Sequence, residues 1–109
     1  MSAMSILQKE KEKFFRWQNR IKDFKQMLTK ELDFTKVDTS DLQTIEKYKF
    51  WKIEFIKYIV VDFITGSHNI IIRCYEMEKL EFEFHFNLYK GSFSDYQNLK
   101  TIFKSLILY

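Results

Sequence analysis

The sequence predicts an α+β fold in which helices pack on one face of an antiparallel three-stranded meander, in the order α-α-β-β-β-α. Two observations predict the strands. Apolar and polar residues alternate without a fault from Leu80 to Leu88, and Thr65-Gly66-Ser67-His68 suits a tight hairpin turn. A third observation predicts the helices, because S-x-x-Q capping boxes begin at Ser5, Ser40 and Ser94.

The composition indicates one folded domain spanning residues 1–109. With 46% hydrophobic and 18% aromatic residues, the chain has ample material for a single core. Two Gly, no Pro and one Cys exclude a collagen-like chain and a disulfide scaffold.

The first helix is predicted from about Ser5 to about Leu32, since apolar residues recur there at helical spacing. This stripe consists of Leu7, Phe14, Trp17, Ile21, Phe24 and Leu28. A helix of that length spans roughly 42 Å, so one end is expected to project or to meet a second copy, which would make a homo-oligomer. A short second helix is predicted from Ser40 to about Lys49, and a C-terminal helix from Ser94.

The stretch 50–64 is predicted to be one long or bent strand, because its apolar residues fall mainly on odd positions. A helix continuing through 50–56 remains an alternative. Centring the hairpin on Gly66 and Ser67 pairs Phe63 with Ile70, Val61 with Ile72 and Ile59 with Cys74. The third strand then pairs Cys74, Ile72 and Ile70 with Phe82, Phe84 and Phe86. These three phenylalanines form a row that is expected in the core with Leu80 and Leu88. A slip of one residue would turn this phenylalanine row toward water.

The same register defines the opposite, outer face of the sheet. Its rows are Tyr58–Tyr75–Glu81, Val60–Arg73–Glu83, Asp62–Ile71–His85 and Ile64–Asn69–Asn87. This mixture of aromatic, aliphatic and charged residues is typical of protein interfaces. The candidate partner-binding residues are Tyr58, Tyr75, Arg73, Glu81, Glu83 and His85. The sequence leaves open whether this face is exposed or is covered by the first helix.

A basic stripe is predicted on the first helix by Lys9, Lys13, Arg16 and Arg20, at spacings i, i+4, i+7 and i+11. The net charge of +3 is concentrated there, since residues 1–36 carry nine Lys and Arg against five Asp and Glu. Such a stripe could follow a phosphate backbone. Phe, Tyr, Met, Ile, Asn and Lys together make up 53 residues, which indicates an AT-rich gene from an AT-rich organism, a phage or a mobile element. Lysine content alone is therefore weak support for nucleic-acid binding.

No catalytic motif is recognisable. There is no Gly-rich phosphate loop and no metal-ligand spacing among two His and one Cys, so no catalytic residue, metal or cofactor is expected. Cys74 is expected to be a core residue.

No apolar run has the length of a signal peptide or a membrane span, which predicts a cytoplasmic protein that does not bind membranes.

The sequence therefore predicts a small non-enzymatic protein-binding module. The preferred role is inhibition of one protein partner, as in a toxin-neutralising immunity or antitoxin protein or a phage-type inhibitor of a host enzyme. One alternative is a nucleic-acid-binding regulator that uses the basic stripe. Another is a small metal-independent ribonuclease that uses His85, Glu83, Arg73 and Tyr75.

Overall fold

Two helices pack on one face of a five-stranded antiparallel sheet in the computed structural model, which describes residues 20–38 and 45–108. Helix α1 is α-helical over 20–26 and ends in a π-helical turn, Met27–Glu31. The remaining elements are β1 (Thr35–Val37), β2 (Ile45–Ile53), β3 (Lys57–Ile64), β4 (Asn69–Glu76), β5 (Lys79–Asn87) and α2 (Phe93–Leu108). The strands lie in chain order, each antiparallel to the next. The α+β class is confirmed, whereas the predicted α-α-β-β-β-α order with three strands is wrong.

The short helix predicted from Ser40 to Lys49 is the first correction. Its second half belongs to β2, while residues 39–44, including Ser40, lie outside the described part of the chain. Tyr48 and Phe50 stand opposite Val61 and Ile59 and pack on the core, so cross-strand burial outweighs the helical spacing. The neighbouring strand β1 has only three residues, too few for a visible alternation.

The single long strand predicted over 50–64 is the second correction. It is two strands, β2 and β3, joined by a turn at 54–56 that contains no Gly, Pro or Asn. Phe55 makes this turn with a left-handed φ of 61°. Odd-numbered residues face the helices in β3 but the outer side in β2, because Phe50 stands opposite Ile59 and Trp51 stands opposite Tyr58. Trp51 therefore points away from the core that its odd position predicted, and a register shift after Trp51 places the exposed Ile53 opposite Lys57 at the end of the strand.

The register of β3, β4 and β5 is confirmed through most of its length. Phe63, Val61 and Ile59 pair with Ile70, Ile72 and Cys74, which in turn pair with Phe86, Phe84 and Phe82. The β3–β4 connection is longer than the two-residue turn expected. Gly66, at φ 76°, precedes Ser67, whose N–H donates to the carbonyl of Ile64 at 3.1 Å.

A β-bulge changes the far end of this pairing. Tyr75 stands opposite Leu80 rather than Glu81, so Glu81 is the extra residue on β5. Leu80 consequently shares the outer face with Tyr75 instead of the helix-facing side. Without a sequence marker such as Gly, the alternation of β5 gave no sign of this irregularity.

The core lies between the helices and the sheet. The Phe24 ring of α1 lies 6.0 Å from the ring of Phe63 and 5.3 Å from that of Phe103, which joins both helices to the central strand. The Tyr96 hydroxyl of α2 donates to Asp23 of α1 at 2.7 Å. Phe24 and Leu28 of the predicted apolar stripe are thereby confirmed in the core, where they meet Tyr96 and Phe103 of α2, and Cys74 is buried as expected.

Helix α2 begins slightly earlier than predicted. The box at Ser94 is replaced by one formed by Ser92 and Asp95. The Asp95 N–H donates to Ser92 Oγ at 3.1 Å, and the Ser92 N–H donates to Asp95 Oδ2 at 2.8 Å. The Ser92 N–H and the Ser92 hydroxyl, which donates to the same carboxylate oxygen at 3.0 Å, hold the pKa of Asp95 below its usual value.

The predicted core row of β5 is only partly covered. Leu88 is buried and Phe86 packs against the core, as predicted. Phe82 and Phe84 face the helix side but remain 36% and 43% exposed. Their neighbours across the strand pair, Cys74 and Ile72, are fully covered. The helices therefore cover β4 but only partly reach β5.

Candidate functional site

An aromatic row crosses the outer face of the sheet where the β2–β3 and β4–β5 turns lie. Trp51, Tyr58, Tyr75 and Leu80 stand opposite one another on β2, β3, β4 and β5. The rings of Tyr58 and Tyr75 stack at 4.8 Å with an interplanar angle of 15°, and Trp51 lies 4.9 Å from Tyr58. The ammonium group of Lys49 lies 4.3 Å from the Trp51 ring and 4.2 Å from the Tyr58 ring. These contacts fix large rings on an open surface.

The two neighbouring turns extend this row. The Met77 N–H of the β4–β5 turn donates to the Ile56 carbonyl of the β2–β3 turn at 2.9 Å, so the turns lie side by side. Phe55 is 81% exposed and Met77 is 71% exposed. We call this surface the hairpin-end cluster, and it comprises Trp51, Phe55, Ile56, Tyr58, Tyr75, Met77 and Leu80.

The turn backbones carry a conformational cost. Phe55, Met77 and Glu78 all adopt positive φ, at 61°, 53° and 65°. Each such residue costs roughly 1–2 kcal/mol relative to a right-handed conformation, and glycine or asparagine would be the ordinary choice. Phe55 and Met77 also expose large apolar side chains. Neither the local backbone energy nor the burial of apolar surface therefore explains why these residue types occupy the two turns. Local conflicts of this kind concentrate at functional sites.

A charge ladder, made by Lys47, Asp62, Arg73, Glu83 and His85, lies beside the aromatic row. Arg73 Nη1 donates to Asp62 Oδ2 at 2.8 Å, and Arg73 Nε donates to Glu83 Oε1 at 2.5 Å. His85 Nε2 lies 3.2 Å from Glu83 Oε2, and Lys47 Nζ lies 4.0 Å from Asp62 Oδ1. Each carboxylate of the ladder therefore has a cationic neighbour, since Arg73 contacts both and Lys47 also lies near Asp62.

The two carboxylates of the ladder differ in their electrostatics. Burial raises the pKa of Asp62, against the opposing effects of Lys47 and Arg73. The hydrogen bond from Arg73 lowers the pKa of Glu83, and His85 adds to this effect. Asp62 is 2% exposed although it lies on the outer face, because it sits on the central strand among longer side chains.

The structure brings together five of the six residues predicted for partner binding. Tyr58 and Tyr75 lie in the hairpin-end cluster, while Arg73, Glu83 and His85 lie in the charge ladder. Glu81 is displaced by the bulge, and its carboxyl forms a hydrogen bond with that of Glu76, which raises the pKa of Glu81.

The sequence did not reveal the rest of the cluster. Phe55 and Met77 lie in turns that carry no Gly or Asn, so no signal marked them. Trp51 could have been found only with the correct β2–β3 boundary.

The basic stripe does not hold where the structure describes it. Arg20 is 4% exposed and donates to the carbonyls of Leu88 at 3.1 Å and Gly91 at 3.3 Å. It cannot face a phosphate backbone from this position. The other stripe residues, Lys9, Lys13 and Arg16, lie outside the described residues, as do Leu7, Phe14 and Trp17 of the predicted oligomer contact. Phe24, proposed for that contact as well, is buried in the chain's own core.

The described cavities and the buried thiol lie on the helix side of the sheet, opposite the hairpin-end cluster. Two cavities on the helix side, between β5 and α2 and between α1 and the β3–β4 turn, lie away from the outer face. Burial raises the pKa of the Cys74 thiol to about 11, which keeps it protonated and unreactive. Among residues 20–38 and 45–108, no three His, Cys, Asp or Glu side chains converge as metal ligands.

No known protein family, curated protein or solved structure matches the chain. In the part of the chain that the structure describes, neither helix combines the length and apolar character that crossing a membrane requires.

Proposed function

We propose that this chain is a small protein-binding module that acts in the cytoplasm, docks on one protein partner through the hairpin-end cluster and inhibits it. One observation supports this most strongly. Two adjacent turns hold Phe55 and Met77 in water, in backbone conformations that large apolar residues rarely adopt. A partner that covers these side chains would compensate for both costs.

The chemistry of the cluster favours a protein partner with an apolar cleft. Rigid aromatic rings and a protruding methionine are the anchors expected at the centre of protein interfaces. The adjoining charge ladder supplies a polar rim of both signs. In such a complex, Phe55 and Met77 enter the cleft, while Lys49 and Arg73 orient the partner at its edge.

A bilayer is a poorer fit to the same surface. Glu54 and Glu78 directly flank Phe55 and Met77, and both would be carried into an anionic membrane surface. Nucleic acid is also disfavoured, because the Arg20 guanidinium is buried and Lys25 forms an ion pair with Glu46. The ribonuclease alternative has His85 and Glu83 in contact, but neither lines a described cavity.

Site-specific photo-crosslinking in the native cell tests the proposal. A photoreactive amino acid is placed at Phe55, and a matched one at Phe93, an exposed aromatic position at the start of α2. We expect one defined protein adduct from position 55 and none from position 93. Trp51→Ser introduced into the position-55 probe should abolish that adduct.

The partner identified in the adduct is then purified, and an assay of its activity distinguishes binding from inhibition. Its activity should fall on addition of the wild-type chain and remain unchanged with Tyr75→Ser. Equal adducts from positions 55 and 93 would refute the docking surface. Binding without loss of partner activity would refute the inhibitory role. Co-sedimentation of the chain with anionic lipid vesicles, lost in Phe55→Ser, would show a membrane ligand instead and would also refute the proposal.

A further inference from the structure

The two edges of the sheet are built differently. Strand β1 closes one edge with three residues, one of which is Lys36. Strand β5 forms the other edge with nine residues, and from Leu80 to Asn87 it has no Lys or Pro. Short strands and edge lysines are the usual protection against pairing with another chain. Among the described residues, no further strand pairs with the open side of β5.

The outward-facing backbone groups of β5 can be assigned. The Leu88 N–H donates to the His68 carbonyl at 2.8 Å, on the β4 side of the strand. Since bonding direction alternates along a strand, the even residues point toward β4 and the odd residues point away. The N–H and carbonyl groups of Glu83 and His85 are therefore directed to the open edge, whereas the Asn87 carbonyl accepts from the Lys90 N–H at 3.3 Å.

The side chains of β5 specify one symmetric pairing with a second copy. An antiparallel two-fold centred on Phe84 places Glu83 of each chain opposite His85 of the other. It also places Phe82 opposite Phe86. A two-fold centred on Glu83 would oppose two carboxylates, and one centred on His85 would oppose two imidazoles. Among these three registers, only the Phe84-centred one places a carboxylate opposite an imidazole, which can donate a hydrogen bond to it.

The helix-facing side of β5 fits the same register. Phe82 and Phe84 are partly exposed there, and a cavity of about 290 Å³ lies between β5 and α2, lined in part by Phe86, Leu99 and Ile102. In the Phe84-centred pairing, the second copy's Phe82 arrives beside Phe86, at this cavity. Association would thus cover the phenylalanine row that the chain's own helices leave open.

We infer that the chain forms a symmetric homodimer by antiparallel pairing of β5 with β5 of a second copy, centred on Phe84. The sheet becomes ten-stranded and continuous. Because the two copies run in opposite directions, their hairpin-end clusters lie at opposite ends of the shared sheet. The dimer leaves both clusters exposed, so this inference does not depend on the proposed function.

Disulfide trapping tests the register. At the two-fold, two Phe84→Cys residues would be a non-hydrogen-bonded pair with Cα atoms about 4.5 Å apart, within the roughly 4.4–6.8 Å that a disulfide spans. In the full chain carrying Cys74→Ala, we expect Phe84→Cys to form a covalent dimer on mild oxidation. Phe82→Cys alone should not, whereas Phe82→Cys combined with Phe86→Cys should.

Sedimentation over a concentration series tests the association itself. Phe84→Lys should raise the dimer dissociation constant by roughly tenfold or more. Phe93→Lys makes the same change on α2, away from β5, and should leave the constant unchanged. A chain that is monomeric throughout the series, or one in which Phe82→Cys crosslinks alone, overturns the inference. If Phe84→Lys fails to fold by circular dichroism, the trapping experiment still decides it.

Discussion

Strands β4 and β5 present matching rows to the helix side, yet only one row is buried. Ile70, Ile72 and Cys74 of β4 stand directly opposite Phe86, Phe84 and Phe82 of β5. The β4 residues are almost wholly inaccessible, whereas Phe82 and Phe84 keep more than a third of their surface in water. The two rows share a face, a register and apolar character, but β4 lies between two strands under the helices, whereas β5 is an edge strand that the helices only partly reach.

The difference shows what alternation does and does not determine. A period of two decides which side chains share a face, because successive residues point to opposite sides of the sheet. Burial depends on the second layer, and here α1 and α2 are centred over β3 and β4. The larger residues of β5 therefore contribute less to the core than the smaller residues of β4.

The largest expected effect comes from truncating one member of an opposed pair. Ile72→Ala should lower the free energy of unfolding by about 2–5 kcal/mol, since it leaves a cavity in a covered site. Phe84→Ala removes more atoms but should cost less, because its ring is partly solvated and water can fill the space. Urea denaturation of both variants at low protein concentration measures the difference.

The stability losses of Ile72→Ala and Phe84→Ala should depend differently on protein concentration. If β5 pairs with a second copy, the cost of Phe84→Ala should grow with concentration, because the wild type gains stability from association. The cost of Ile72→Ala should stay nearly constant. Losses of equal size for the two variants at every concentration would show that β5 is as well covered as β4.

The register of β3, β4 and β5 was predictable because a slip carried a large penalty. A slip of one residue, which would place Phe84 opposite Ile71 or Arg73, would have turned the apolar row of β5 to the opposite face of the sheet. The β2–β3 connection had no comparable constraint. Glu54, Phe55 and Ile56 carry no turn residue, and the change of face at this turn made the odd-position row look continuous.

The same limits decided which parts of the candidate site were predictable. Tyr58, Tyr75 and Arg73 were placed correctly because they lie within the well-specified register. Phe55 and Met77 were missed because their positive φ values violate the preferences from which turns are predicted. Arg20 was misplaced because helical spacing cannot tell a solvated cation from one that binds buried carbonyls.

An intermediate effect is expected at the charge ladder, where cover comes from long side chains instead of helices. Arg73→Met removes the hydrogen bond to the buried Asp62, so unfolding should become about 1–3 kcal/mol easier at neutral pH. Asp62→Asn should restore part of the loss in the double variant, because the uncompensated charge is then gone. Chemical denaturation of the two single variants and the double variant measures this coupling.

The pH dependence of Asp62→Asn gives an independent check on Asp62. Burial raises the pKa of Asp62, so the folded chain retains its proton to higher pH than the unfolded chain does. Its contribution to stability is therefore greatest at low pH and falls as pH rises from about 4, the unfolded value, through the folded pKa. Wild type should lose stability relative to Asp62→Asn across that window, and a constant difference would contradict a raised pKa.

The smallest expected effect separates backbone cost from side-chain exposure in the hairpin-end cluster. Phe55→Ala and Phe55→Gly both remove the exposed ring and its contact with Trp51, whose ring centroid lies 5.9 Å away. They differ only in Cβ, which is unfavourable at a φ of 61°. Phe55→Gly should therefore be more stable than Phe55→Ala by about 1 kcal/mol in thermal or urea unfolding.

Both Phe55 variants should bind the partner equally poorly, because each lacks the ring that enters the cleft. A partner affinity that follows folding stability would mean that Phe55 acts through the shape of the turn. An affinity lost to the same extent in both would mean that the ring itself is recognised. In that case, the strained turn places in water a side chain that a glycine turn could not supply, whereas on β4 the helices bury every apolar residue that faces them.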